Sequence, residues 1–149
     1  MIWAFLYAFC STIGFSLLFH VPKKHIASAG LVGALGWITY TYFISSGSSN
    51  VLACFAGSFV VALISDLFSR IFKDAATIFI IPGILPLVPG ANMYYTMLAI
   101  IEGDVEKTAS VATETILMAG AIAVALLVVA SVIKLIALMG RKLLTFRDE

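Results

Sequence analysis

Between Ile81 and Gly90 the chain reads Ile81-Pro82-Gly83-Ile84-Leu85-Pro86-Leu87-Val88-Pro89-Gly90, with three prolines and two glycines in an otherwise apolar run. Proline lacks the backbone donor of a helical residue and its ring collides with the preceding turn, so no ordinary helix is predicted to continue through this run. The flanks, Thr77 to Ile81 and Tyr94 to Ile101, are as apolar as a membrane span. Backbone that breaks at membrane depth persists only where protein buries it or a water-filled cavity faces it. In transporters such interruptions hold the substrate or ion. These residues predict a membrane transporter, or one half of one.

Composition agrees. The chain is 62% hydrophobic and 11% charged, well outside the range of soluble domains. A formal net charge of +1 offers nothing for nucleic acid to bind. Cys10 and Cys54 lie in apolar runs without a close-spaced partner, so they read as small buried hydrophobes and not as a disulfide or metal site. No basic residue precedes the apolar run that begins at Ile2, so a cleaved signal is not expected; Phe9 ahead of Cys10 argues against lipoprotein processing. There is no Ser-His-Asp set, no His/Cys metal spacing and no phosphate-cradling loop. Neither enzyme chemistry, catalytic residues, a cofactor nor a metal is predicted.

A crossing helix needs roughly 20 mostly apolar residues. On that measure one all-α transmembrane domain, residues 1–149, is expected, with five spans near 2–19, 26–44, 51–68, 75–101 (the broken one) and 111–138. Charge placement gives an independent count. Lys23 and Lys24, then Arg70 and Lys73, then Arg141, Lys142 and Arg147 occupy alternate connections, whereas the others hold only Lys107 among acids. The positive-inside rule then puts the N-terminus outside and the C-terminus in the cytoplasm. A re-entrant fourth segment would leave the acidic Glu102 to Glu106 loop on the same side as Arg70 and Lys73, so a crossing is preferred.

Small residues mark packing faces: Gly30, Gly33 and Gly36 in the second span, Ala53 and Gly57 in the third, Ala119 and Ala123 in the fifth. They let helix backbones approach closely where lipid supplies no drive for association. Ordinary packing within the chain is the plain reading, and an intersubunit seam is the other.

Chemistry is expected at the break. Gly90-Ala91-Asn92 stands just before the restarted helix, and Asn is a favoured cap. A helix start offers free amides and a positive dipole end, which attract an anion such as a carboxylate. Tyr94, Tyr95 and Thr96 follow as hydroxyl donors; the competing reading makes the tyrosines interfacial aromatics. Acids near membrane depth default to proton or ion pathways, which singles out Asp66, with Arg70 one turn on, and Glu114. Lys134 is read as snorkelling to the interface, and His20 and His25 as bystanders.

Several motifs resemble the small subunit of the threonine/serine exporter family, a group that includes a two-component bacterial succinate exporter. They are Gly14-Phe15 with Phe19-x-Val21-Pro22, Gly33-x-x-Gly36-Trp37, Ser65-Asp66 with Arg70 and Lys73, and Pro86-x-x-Pro89-Gly90-x-x-x-Tyr94 after Pro82-Gly83. The pattern departs in one place: Ala75-Ala76 stand where a proline is expected. The resemblance implies an inner-membrane secondary exporter of small carboxylate metabolites, threonine and serine or succinate, driven by an ion gradient. It implies a larger five-span partner subunit. The broken segment itself is read as the carboxylate-binding site, with Pro86, Pro89, Gly90, Asn92, Tyr94 and Tyr95 as its residues. Two rival readings use the same residues: a non-transporting scaffold or regulatory subunit, and a channel-like homo-oligomer.

Overall fold

The computed structural model describes the backbone of residues 1–145 and the side chains of residues 1–138. Arg141, Lys142 and Arg147, on which the C-terminal charge reading rests, lie outside the described side chains. Six α-helices account for nearly all of the described backbone: α1 Ile2–Leu18, α2 Ile26–Ser45, α3 Asn50–Phe72, α4 Thr77–Ile84, α5 Gly90–Glu102 and α6 Val105–Thr145. Short 3-10 turns, Lys23–His25 and Leu85–Leu87, precede α2 and follow α4.

The fold is an all-α membrane architecture. Three segments are long and apolar enough to cross a bilayer (Lys23–Ser45, Asn50–Phe72 and Val105–Leu138), and the bent pair Thr77–Leu87 and Gly90–Glu102 makes a fourth. The first helix, 17 residues long, falls short of the same length. At about 1.5 Å per residue it reaches only about 26 Å, so the fifth span of the sequence reading is not established by length.

Glycine contacts set the helix crossings. A methyl group added at Gly33 would collide with the Thr12 hydroxyl, and one at Gly57 would lie 2.9 Å from the Gly36 carbonyl oxygen. Two backbones therefore touch where α2 crosses α3. A methyl added at Gly83 would meet the Val32 side chain of α2 at 2.9 Å. Thr12 and Ser16 are fully buried on α1 because each hydroxyl donates to the carbonyl four residues back, which removes its need for water. Around these crossings Ala29, Val32, Val61, Phe79 and Leu87 form one core, and Cys54, Met118 and Ile122 form the seam between α3 and α6. The small residues thus divide. Gly30, Gly33, Gly36, Ala53 and Gly57 pack inside the chain, while Ala119 and Ala123 lie exposed on α6.

Pairings along the helices fix their directions. Asn50 bonds Glu114, Cys54 packs on Met118 and Ile122, and Asp66 shares a cleft with Ala130 and Lys134. Numbers rise together on both helices, so α3 and α6 run parallel. Helix α4 runs against α3, from Phe79 beside Phe72 to Leu87 beside Cys54. Helix α5 runs against α6, from Asn92 at Met118 to Glu102 at Lys107.

One expectation is corrected. The helix does continue through the first proline, to Ile84. Pro82 deletes a single bond, to the Ile78 carbonyl, and one full turn already precedes it, so two more helical residues fit before the chain tightens. Pro86 sits early in the following 3-10 turn, where its missing N–H is not needed. The break proper is Val88-Pro89.

Candidate functional site

Leu87 anchors the break from below. Its side chain fills the notch between Gly36 and Gly57, and its carbonyl accepts a long bond from the Cys54 thiol at 3.7 Å. Val88 is extended (ψ 130°), and Pro89 (φ −74°, ψ 56°) is the centre of an inverse γ-turn in which the Gly90 N–H donates to Val88 O at 2.7 Å. Helix α5 then starts at an angle of 49° to the first half.

This geometry changes the roles expected at the restart. Pro89, not Asn92, occupies the cap position, and no side chain caps the helix. Asn92 stands two residues into α5, too far along for its amide oxygen to reach the first N–H groups. Its side-chain NH2 turns instead toward Met118 Sδ at 3.7 Å on α6. Gly90 does not have a positive φ, so the conformational freedom of glycine is not what the position requires. An added methyl there meets nothing within 4 Å. The Gly90 amide is already used in the turn. Among the described residues, the Ala91 and Asn92 N–H groups have no hydrogen-bond acceptor, which leaves two donors at the positive end of α5.

The other predicted residues spread around this start. Thr96 donates to the Asn92 carbonyl at 2.8 Å, one turn back along α5. Tyr94 and Tyr95 pack edge to face, with ring centres 5.5 Å apart, and both are exposed on the outer side of α5. Pro86 faces the opposite way, into a cleft of about 470 Å³ formed with Tyr7, Ser11 and Trp37. The structure therefore joins Pro89, Gly90 and Asn92 at one point and separates Pro86 and the tyrosines from it. Tyr7 and Ser11 were not singled out from the sequence, because nothing in their spacing shows that α1 lies beside the break.

The two candidate acids are far apart. Asp66 accepts from Arg70 Nε at 2.7 Å and lines a cleft of about 500 Å³ with Thr77 and Lys134. Glu114 accepts from Asn50 Nδ2 at 2.6 Å. Sixteen residues of α3 separate Asn50 from Asp66, about 24 Å along the axis, so the acids do not share a site.

A third polar cluster was missed. Lys73 takes a left-handed conformation (φ 55°) at the end of α3, and the Ser69 hydroxyl donates to the Asp74 carbonyl at 2.6 Å. Together they fold Asp74 back toward the turn before α2. There its carboxylate meets Lys24 Nζ at 2.8 Å and His25 Nε2 at 2.7 Å. The Lys24 bond, then the His25 bond, hold this carboxyl below the usual carboxylate range. Its stabilising contribution is therefore present above the ordinary carboxylate pKa and is lost only as pH falls through the depressed value. His25 itself is 1% exposed. Adjacent Lys24 and His25 look like ordinary loop residues; only the fold over of Asp74 reveals them. Among the described residues no three His, Cys, Asp or Glu side chains converge as a metal site would require.

The family described as Threonine/Serine exporter, ThrE, matches residues 4–132. The chain belongs to that family. Members of the exporter family are transporters and not enzymes, and the apolar helices make this one a multi-pass membrane protein. An uncharacterised protein of Haemophilus influenzae is 26% identical over 102 residues, 68% of this chain and 34% of that protein. The chain thus spans about a third of the length of this curated relative. No solved structure matches it.

Proposed function

We propose that residues 1–149 form a single transmembrane domain that serves as half of a secondary exporter for small carboxylate metabolites. It works with a larger five-span subunit in the inner membrane. Threonine and serine are the first substrates to test and succinate the second, since each presents a carboxylate. The observation that carries this reading is the interrupted span: a 49° bend with two unpartnered amides at the start of α5 inside an otherwise apolar segment. A carboxylate placed there takes charge-assisted hydrogen bonds from Ala91 and Asn92 and the favourable dipole of α5. Pro89 and Gly90 shape the start, Asn92 sits against α6, and Pro86, Tyr94 and Tyr95 line the approaches on either side. Efflux of labelled threonine, serine and succinate from loaded cells, with and without the larger subunit, tests it. No efflux of any of the three when both subunits are inserted sinks the proposal and leaves a scaffold role.

The same reading places the N-terminus outside and the C-terminus in the cytoplasm, with the broken segment crossing fully. The parallel course of α3 and α6 supports this, because a re-entrant fourth segment would make them antiparallel. Single cysteines at Lys73 and Glu106, in a chain lacking Cys10 and Cys54, are expected to label from opposite sides of the membrane. Labelling of both from one side would mean that the segment turns back.

Asp66 and Glu114 are the acids proposed to couple export to an ion gradient. Asp66→Asn is expected to lower gradient-driven export by about tenfold or more with little change in inserted protein, since only a titratable group carries a proton at membrane depth. Normal export by Asp66→Asn, with failed assembly of Asp66→Ala, would show that the Arg70 pair is structural.

A further inference from the structure

The least expected titratable group in the fold is His25. Its ring is 1% exposed, at the junction of the turn before α2, the end of α3 and the first turns of α4. Phe72 and Phe79 close on it edgewise at centroid distances of 5.0 and 5.2 Å. Nε2 is held by Asp74, and Nδ1 is buried with no hydrogen-bond partner among the described residues. Asp74 bonds the ring and Lys24 bonds Asp74 in turn; Phe72 of α3 and Phe79 of α4 pack against the ring, and Arg70 is engaged with Asp66.

We propose that His25 and Asp74 form a proton-binding site whose occupancy is coupled to the position of the inner end of the broken segment. In the neutral ring, Nε2–H donates to the Asp74 carboxylate and Nδ1 carries the lone pair. A proton taken from solvent goes to Nδ1, the Nε2–H stays on Asp74, and the ring becomes an imidazolium. Nδ1 is buried and Phe72 and Phe79 pack against the ring, so a proton reaches or leaves it only when that cage opens. Once protonated, the Nδ1–H has no acceptor inside the cage, and an unsatisfied buried donor is costly. The charged ring therefore favours an opened cage in which water accepts the bond, while the half-exposed Asp74 keeps hold of Nε2. Phe79 is the third residue of α4, so opening moves the first turns of the broken segment. A cleft of about 230 Å³ between Pro22 and Thr77, Ile78 and Ile81 gives those turns room. Imidazole is the side chain whose charge ordinarily changes near neutrality. The part this site plays in transport rests on the export reading above; the site itself stands on the geometry.

The test needs no transport. A spin label on Ile78→Cys, in the full chain lacking Cys10 and Cys54 and reconstituted in liposomes, reports the motion of α4. Its mobile fraction is expected to rise severalfold as pH falls from about 8 to about 5. The rise should vanish in His25→Gln, whose amide N–H still donates to Asp74, and persist in His20→Gln. A flat profile, a fall on acidification, or an unchanged rise in His25→Gln overturns the proposal. Should His25→Gln fail to insert, the chain has only two histidines, so His20→Gln leaves one imidazole to follow by nitrogen NMR. Titration of that ring with loss of its tautomer signal over the same range sustains the proposal; a ring that keeps one proton from about pH 5 to 8 overturns it. Failed export with the pH response intact would count against the transport reading alone.

Discussion

Gly90→Leu is expected to cut export by roughly tenfold to a hundredfold at an unchanged level of inserted protein. The magnitude is that of losing one charge-assisted hydrogen bond, about 1.5–3 kcal/mol. The level stays constant because a methyl added at Gly90 meets nothing within 4 Å and the backbone there needs no positive φ. The leucine therefore enters open space at the start of α5, where the carboxylate is proposed to sit. Efflux of labelled threonine, serine and succinate, normalised to membrane protein, measures the effect. Unchanged efflux of all three would move the binding site away from the start of α5. Asn92→Ala is expected to be far milder, since the residue caps nothing and its one side-chain contact is a long bond to Met118.

The opposite behaviour is expected at Gly57. A methyl there lies 2.9 Å from the Gly36 carbonyl and 3.1 Å from Leu87. A flexible side chain can give way, but the Gly36 backbone cannot move without parting α2 from α3. Gly57→Leu should destabilise the fold by about 1–3 kcal/mol or more, the usual cost of overpacking. It should also release Leu87 from its notch and so disorder the break. Thermal stability in detergent, compared with Gly120→Leu on an open face of α6, checks this. Equal melting temperatures for the two variants would mean that the α2–α3 contact does not hold the break in place. The two glycines make a useful contrast, because one is a site of close approach and the other a site of open space.

Much of this was legible beforehand. The apolar runs, the broken segment and the motifs Gly33-x-x-Gly36-Trp37 and Pro86-x-x-Pro89-Gly90-x-x-x-Tyr94 led to an all-α membrane chain of the exporter family, which the fold and the family match both show. Asp66 with Arg70 was also read correctly as a pair, since four residues on one helix face determine that contact. Asn92 was misplaced because capping depends on where the helix begins, and an inverse γ-turn at Pro89 starts it three residues earlier. The bystander reading of His25 missed its burial, because its partner Asp74 is 49 residues away.

The sequence by itself determined what depends on local composition and periodicity: which segments are apolar enough for lipid, where prolines interrupt a helix, and which small residues allow close packing. Only the tertiary structure decided what depends on contacts between distant segments. It paired Asn50 with Glu114 and Asp66 with the region of Lys134, making α3 and α6 parallel. It set Gly57 against the Gly36 backbone while leaving Ala119 and Ala123 uncovered. It also brought Asp74 onto a buried His25. Those outcomes follow from how helices cross in space, and no window of neighbouring residues carries that information.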